Sequence, residues 1–123
     1  MRGTISYSGK DLDIEIRNIL NRKNIDHRTK MKKFFEILKS EKGITQTQIA
    51  EAEDITQQAI SNLKNPKLKN PDLLRIIKII YYISKYVDLR YPTKIAFISL
   101  FYPDDAEIIE AVFKPFNNHR DNG

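Results

Sequence analysis

The chain has 123 residues, of which 21 are Lys or Arg and 16 are Asp or Glu, so its net charge is +5. This length is typical of a single domain or of one domain with an appendage, since domains most often have about 100–150 residues. The absence of Cys excludes a disulfide scaffold and a zinc–cysteine site, and because no signal-peptide stretch or apolar run of roughly 18 residues occurs, we expect a cytoplasmic protein without a membrane partner.

The positive charge is concentrated in one part of the chain. Residues 22–42 contain eight basic side chains and three acidic ones, so this segment has a net charge of +5, equal to that of the whole chain. Such a cluster favours a polyanionic partner such as nucleic acid. A solvated helix face rich in lysine would give the same count.

The first two predicted elements are helices. Apolar residues at helical spacing between Leu12 and Leu20 predict a helix over residues 9–23, with Ser8 as its cap. The alternation at residues 11–17 would also suit a short strand. A second helix is predicted over residues 28–42. Its apolar side chains fall on one face and its lysines on the other: the apolar ones are Met31, Phe34, Phe35 and Leu38.

Two short helices follow Gly43, which is placed to end the second helix in the left-handed conformation. Thr45 opens a capping box, and the helix that it starts extends only over residues 46–53. Thr56 caps the next helix, predicted over residues 57–64. Helices this close in sequence can cross only where a small residue lets their backbones approach.

Ala50 is the small residue at the predicted crossing. Four apolar side chains are spaced to close a small core between the two helices: Ile49, Ile55, Ile60 and Leu63. Polar side chains are then left on the outside of the second helix. This arrangement lets a helix enter the DNA major groove by its N-terminal end.

The rest of the chain is also predicted to be helical. After a loop, Asn70 as cap and Pro71 in the first turn begin a helix over residues 71–87. Its buried stripe is expected to contain Leu73, Leu74, Ile77, Ile80 and Tyr81, with Tyr82 as a further candidate. Residues 93–102 could form a helix or a strand, and a helix is favoured because no partner strand is recognisable.

A capping box at Asp104 and Glu107 opens the last predicted helix. Its apolar side chains are Ile108, Ile109, Val112 and Phe113. Pro115 stops this helix, and residues 117–123 are expected to fray.

The centre of the chain resembles a known family. It combines Gly-Ile-Thr-Gln at 43–46, Ile-Ala at 49–50, Ile-Thr-Gln-Gln at 55–58 and Asn-Pro-x-Leu-x-x-Ile at 70–76. In these features residues 31–83 resemble the helix-turn-helix domain of the Cro/repressor (XRE) family, which is found in lambdoid phage repressors and many bacterial regulators. The resemblance implies an all-α, Cro/repressor-like helical bundle, here with an extra N-terminal helix and a C-terminal helical extension.

The chain departs from the family pattern at the turn and at the end of the recognition helix. Glu53 and Asp54 stand where the family usually has an apolar residue and then Gly. Asp tolerates the left-handed conformation, so the turn can form, but two carboxylates facing DNA would repel phosphates. Lys64 replaces a Glu that often ends the recognition helix, and adds attraction.

The resemblance and the side-chain chemistry together imply a sequence-specific regulator of transcription that binds double-stranded DNA, with a repressor as the expected direction. Amide side chains can make bidentate contacts with adenine. The predicted base-reading residues are Gln57, Gln58, Ser61 and Asn62. The predicted phosphate-contacting residues are Gln46, Thr56, Lys64, Lys67 and Lys69, with part of the basic face of residues 28–42.

The motif divides the chain into three predicted regions. Residues 28–87 form the helix-turn-helix domain, residues 1–27 an N-terminal helical extension and residues 88–123 a C-terminal helical extension. The segments 71–87 and 93–113 contain more Ile, Phe and Tyr than one small domain readily buries. A lone recognition helix reads only a few base pairs, so we expect the tail to form a twofold homodimer on a palindromic operator, or to bind a protein partner.

The residues typical of enzyme active sites are not arranged for catalysis. His27, expected in a loop, and His119 are the only histidines, and neither lies at metal-ligand spacing from another ligand. Helix capping explains the carboxylates around Asp104. No glycine-rich phosphate loop and no Ser/His/Asp set is recognisable. We therefore expect no enzyme activity, no metal and no cofactor.

Two other functions are left open. One is the antitoxin of a toxin–antitoxin pair, whose tail would bind the toxin and whose helix-turn-helix would repress their own promoter. The other is a protein-interaction module in which the helix-turn-helix is only a scaffold. The two carboxylates Glu53 and Asp54 are the main observation that favours this interpretation. DNA binding that is absent or insensitive to salt would favour the scaffold, because phosphate contacts give a steep salt dependence.

Overall fold

Six α-helices make up most of the chain that the computed structural model describes, which is residues 11–67 and 72–105. They are α1 (Leu12–Asn21), α2 (His27–Lys42), α3 (Gln46–Glu53), α4 (Gln57–Ser61), α5 (Leu73–Ser84) and α6 (Tyr91–Ser99). Two 3₁₀ turns, Asn62–Lys64 and Pro103–Asp105, follow α4 and α6, and these ranges contain no strand. The predicted all-α class is confirmed. None of the described helices is long and apolar enough to cross a membrane.

Some predicted features lie outside the described residues. They are the cap Ser8, the phosphate contact Lys69, the cap candidate Asn70, the first-turn Pro71, Glu107 of the last capping box, the apolar residues of the last helix, His119 and the frayed end at 117–123.

Aspartates fix where α1 and α2 begin. The Asp11 carboxylate accepts the Asp13 N–H at 3.1 Å, and the Asp26 carboxylate accepts the Thr29 N–H at 2.8 Å. Each bond satisfies a backbone donor that has no partner within the helix, so α1 begins at Leu12 rather than at residue 9. Hydrogen bonds from Thr29, first from its side chain and then from its backbone, hold the pKa of Asp26 below its usual range.

Helix α5 begins later and ends earlier than the sequence pattern predicts. Its N-cap is Asp72, whose carboxylate accepts the Leu74 N–H at 3.1 Å, whereas the pattern predicts Asn70 in that role. The N-cap stands directly before the first helical residue. The helix therefore extends over Leu73–Ser84 instead of residues 71–87.

The buried stripe of α5 also differs from the predicted one. Leu74 and Tyr81, predicted to be buried, are 57% and 66% exposed. The buried side chains are Ile76, Ile79, Ile80, Tyr82 and Ile83. Nine of the twelve residues of this helix are apolar, so periodicity alone allows more than one stripe. Packing against α3, which a periodicity count does not include, decides which stripe is buried.

A single hydrophobic core contains side chains from all six α-helices. α1 contributes Ile16 and Leu20, and α6 contributes Phe97 and Ile98. Of the segment 93–102, for which a helix is favoured over a strand, residues 93–99 are helical as part of α6, and the helix ends at Ser99. The helices that flank the predicted DNA-binding domain thus share its core, although Ile14 of α1 is exposed.

A buried polar network fastens α1 to α6. Asp13 and Thr93 are almost fully buried. The Asp13 carboxylate accepts the backbone N–H of Arg90 at 2.8 Å and the side chain of Arg17, whose Nε–H also donates to Thr93 Oγ1 at 2.9 Å. Because Arg90 is the N-cap of α6, this network fixes where α6 begins against α1. A carboxylate is tolerated in the core when it is paired in this way.

Candidate nucleic-acid interface

A capping box starts α3. The Thr45 hydroxyl accepts the Gln48 N–H at 3.1 Å, and the Gln48 side chain accepts the Thr45 N–H at 3.0 Å. This reciprocal pair satisfies two backbone donors at the helix start. The helix covers Gln46–Glu53, as predicted.

The turn between α3 and α4 depends on Asp54. Its φ of 56° and ψ of 48° are left-handed, and within the described ranges no other residue except Gly43 has a positive φ. The Ile55 N–H donates to the Ala50 carbonyl at 2.9 Å, which closes the end of α3. Thr56 then caps α4 by accepting the Ala59 N–H at 3.0 Å. Three residues therefore connect the two helices.

The predicted core between α3 and α4 is confirmed. The side chains that form it are all buried: Ile49, Ala50, Ile55, Ile60 and Leu63. α4 is shorter than the predicted helix 57–64, because the chain tightens into a 3₁₀ turn after Ser61. Such tightening satisfies carbonyls at a helix end, and the Asn62 N–H here bonds the carbonyls of Gln58 and Ile60.

The predicted base-reading residues lie on the outer side of α4. Gln57, Gln58 and Ser61 are exposed and Asn62 is half-buried. The Gln58 Nε2 donates to Asn62 Oδ1 at 2.8 Å. This bond holds the Gln58 amide in one orientation while leaving its carbonyl oxygen and one N–H open. One acceptor and one donor are the pair that the edge of adenine can satisfy.

The predicted phosphate-contacting residues differ in how exposed they are. Gln46 is half-buried at the start of α3, and Thr56 is exposed at the start of α4. Lys64 is half-buried, with its ammonium 6.0 Å from the centroid of the Phe35 ring. Lys67 is exposed in the loop after the 3₁₀ turn. The structure thus describes four of the five, two of them exposed.

Part of the basic face of α2 lies on the same side as Lys64. Arg28, Lys32 and Lys39 stand seven residues before, three before and four after Phe35. Residues at these spacings share one side of a helix, and all three are exposed. Together with Lys64 they form what we call the basic stripe, next to the end of α4.

The other side of α2 is different in charge. Arg22 and Lys33 line a groove of about 620 Å³ between α1 and α2, together with Glu15 and Glu36. Two acidic and two basic side chains leave this groove without net charge. The positive charge of residues 22–42 is therefore divided: Arg22 and Lys33 lie at this groove, whereas the basic stripe adds to an anion-binding surface near α4.

Glu53 at the end of α3 is directed to α5. Its carboxylate is 4.0 Å from Lys85 Nζ, which also lies 5.6 and 5.7 Å from the ring centroids of Tyr81 and Tyr82. Burial, then the neighbouring Tyr86 and Glu53, raise the pKa of the Tyr82 hydroxyl. One of the two carboxylates that depart from the family pattern thus has a cation partner within the chain.

An exposed patch with apolar character lies on α5 and directly after it. We call it the α5 face and define it by Leu74, Tyr81, Lys85 and Tyr86, all of which are exposed. Tyrosine and apolar side chains exposed together are typical of protein contact surfaces.

His27 is a residue that the sequence analysis misplaces. It is expected in a loop, but it is the first residue of α2. Its Nε2 lies 2.6 Å from the carbonyl oxygen of Leu63, in the 3₁₀ turn that ends α4. The cap at Asp26 is the local signal that α2 starts here, whereas nothing local indicates the partner 36 residues further along.

Comparison with known proteins gave no match to this chain, whether against family models, curated proteins or solved structures.

Proposed function

We propose that this chain is a sequence-specific regulator of transcription that binds double-stranded DNA in the cytoplasm, with a Cro/repressor-like helix-turn-helix formed by α3 and α4. It would act as a binding protein without enzyme activity, and repression is the direction we propose. One observation carries the proposal. The short helix α4 has Gln57, Gln58 and Ser61 exposed on one side and Ile60 buried on the other. Because Ile60 packs in the core, the amide side chains of Gln57 and Gln58 remain on the solvent side.

The surroundings of α4 support a polyanionic partner. The basic stripe and Lys67 lie in the elements next to the recognition helix, and phosphate contacts from such cations would position the domain without specifying sequence. If five cations contact phosphates in each half-site, the slope of log K against log salt concentration would be about −4.5 per half-site.

The proposal includes a homodimer on a palindromic operator. A helix of this length reads only a few base pairs, and paired half-sites are the usual solution. Support comes from the α5 face, because Leu74 and Tyr81 are exposed apolar side chains on the same side of one helix. The α5 face could equally bind a different protein, as expected of an antitoxin or of a protein-interaction module. This exposed face is the observation that supports protein binding as a second candidate function.

The test is selection of bound sequences from a random pool of double-stranded DNA. We expect a palindromic consensus with half-sites one helical turn apart, and affinity that falls steeply with salt. Recovery of no consensus, together with binding that is insensitive to salt, would contradict DNA reading and favour the interaction module.

A further inference from the structure

A series of ring contacts begins and ends at the 3₁₀ turn that terminates α4. It starts at His27, whose Nε2 contacts the Leu63 carbonyl, and ends at Phe35, whose ring lies beneath Lys64. The centroid distances are 5.3 Å for His27–Phe101, 5.4 Å for Phe101–Phe97, 4.9 Å for Phe97–Phe34 and 5.2 Å for Phe34–Phe35. We call this the aromatic series. It connects α4 to α6 by way of α2.

The contact between His27 and Leu63 has a defined direction. A carbonyl oxygen can only accept a hydrogen bond, so the Nε2–H of His27 is the donor and the Leu63 carbonyl is the acceptor. Carbonyls in the last turn of a helix have no partner within the helix. His27 therefore satisfies the end of the recognition helix from another element. Its ring is in turn held edge-on by Phe101, at an interplanar angle of 86°.

Two independent contacts thus hold the 3₁₀ turn. One is the hydrogen bond to the Leu63 carbonyl, and the other is the cation–π contact of the Lys64 ammonium with the Phe35 ring, 6.0 Å from its centroid. Within the turn, the Asn65 N–H donates to the Asn62 carbonyl at 2.9 Å. The position of this turn decides where Asn62 and Lys64 lie relative to the first turn of α4. It therefore decides whether the Gln58–Asn62 amide pair can form.

We propose that His27 is a positioning residue for sequence reading: by donating to the Leu63 carbonyl it sets the end of the recognition helix, and Phe101 holds it in place to do so. This inference rests on the proposed function. It assigns Phe101, which lies two residues after the end of α6 and outside the helix-turn-helix, an influence on which DNA sequences are preferred, although neither His27 nor Phe101 has to contact DNA.

Two variants separate the hydrogen bond from the ring. His27→Phe keeps an aromatic edge against Phe101 but removes the donor. His27→Gln keeps a donor at the same number of bonds from the backbone but removes the ring. Each full-length variant is titrated with the duplex selected from the random pool and with a scrambled duplex of equal length. The readout is the ratio of the two affinities.

We expect His27→Phe to lower this ratio about tenfold, which is the effect of losing one well-placed base contact, and to leave affinity for the scrambled duplex unchanged. His27→Gln should keep the ratio within about threefold of the wild type, since a donor of similar reach restores the hydrogen bond. Amide hydrogen exchange supplies a second measurement: the Asn65 N–H should exchange faster in His27→Phe than in His27→Gln.

The possible failures are distinguishable. A wild-type protein with a ratio near one would contradict the proposed function itself. A selective wild type with an equally selective His27→Phe variant, and unchanged exchange at Asn65, would overturn the role of His27 alone. If His27→Phe does not fold, Phe101→Leu takes its place. That variant keeps the donor and removes its support, and a ratio equal to the wild-type value would then overturn the inference.

Discussion

The outer faces of α4 and α5 differ in what they offer to a partner. Gln57 and Gln58 on α4 expose amides, which exchange hydrogen bonds in fixed directions and suit the edges of bases. Leu74 and Tyr81 on α5 expose apolar atoms, which gain free energy by leaving water in any direction. One small chain thus has a surface suited to reading and a separate surface suited to association.

The two helices also differ in how they are held. α4 has five residues, and it is fixed by the cap at Thr56, by the core beneath Ile60 and by His27 beyond its end. α5 has twelve residues and buries five side chains of its own. A helix as short as α4 is not stable alone. The reading surface therefore depends on its supports more strongly than the α5 face, whose helix buries five side chains of its own.

The largest expected effect is on the support of α4. Ile60→Ala should lower the free energy of unfolding by about 3 kcal/mol, because Ile60 is fully buried between α4 and the core. Leu74→Ala, on the exposed α5 face, is the matched control and should change it by less than about 0.5 kcal/mol. Chemical denaturation measures both. Equal losses of stability in the two variants would contradict the difference in burial between Ile60 and Leu74.

Base reading should come next in size. Gln57→Ala and Gln58→Ala should each weaken binding to the selected duplex by roughly 10- to 100-fold, the range expected for loss of one bidentate base contact. Binding to scrambled DNA should hardly change. Lys67→Ala should weaken both by similar factors, as expected of a phosphate contact. Fluorescence anisotropy titrations give the ratio of the affinities for the selected and the scrambled duplex, for the wild type and for each of the three variants. An equal loss on both duplexes in all three variants would contradict the assignment of base reading to α4.

Association should depend on the other face. Tyr81→Ala should raise the dissociation constant of the homodimer about tenfold, since truncation of a tyrosine within an interface often costs more than about 1 kcal/mol. Gln57→Ala should leave it unchanged. Sedimentation equilibrium at tens of micromolar compares the two variants. A wild-type chain that is a monomer, with and without DNA, would contradict the homodimer.

In the turn between α3 and α4, glycine should be more stable than the aspartate at position 54. Asp54→Gly should raise the free energy of unfolding by about 0.5–1 kcal/mol, because a residue with a β-carbon is strained at φ 56°. It should also strengthen DNA binding at low salt, since one carboxylate beside α4 is removed. Asp54→Ala removes the same charge but keeps the strain. A gain in stability from the alanine variant would contradict this explanation.

The smallest effect is the acid response of the α2 cap. The folded-state pKa of Asp26 lies below its ordinary value of 3.8. Its ionised form therefore stabilises the fold above about pH 4, and this contribution is lost as the pH falls through the lowered folded-state pKa. Asp26→Asn should flatten this part of the stability profile, measured by thermal unfolding between about pH 2 and pH 5. An unchanged slope would show that the cap contributes nothing.

Sequence reasoning succeeded where the signals are local. The capping box at Thr45, the left-handed Asp54 and the cap at Thr56 all depend on residues within a few positions, and these three features are present in the structure. The amphipathic pattern of α2 is equally local, and four predicted apolar residues are its buried ones.

It failed where the partner is distant in sequence. The buried stripe of α5 is selected by packing against another helix. The partner of His27 is 36 residues away, and those of Arg17 and Asp13 on α6 are 76 and 77 residues away. Spacing within a single sequence contains no information on such pairs. The proposed reading residues and their local supports Thr56 and Ile60 could therefore be predicted, but the distant support His27 could not.

The buried network between α1 and α6 has a consequence for how the chain can be shortened. Asp13 and Arg17 stand near one end of the described chain, and their partners Arg90 and Thr93 stand near the other. Contacts at such separation close a long loop and are entropically costly to form. A fragment limited to residues 28–87 would lack all four residues and would expose the Phe34 side that Phe97 covers. We therefore expect the smallest fragment that folds to extend from Asp11 to at least Phe101, well beyond the helix-turn-helix itself.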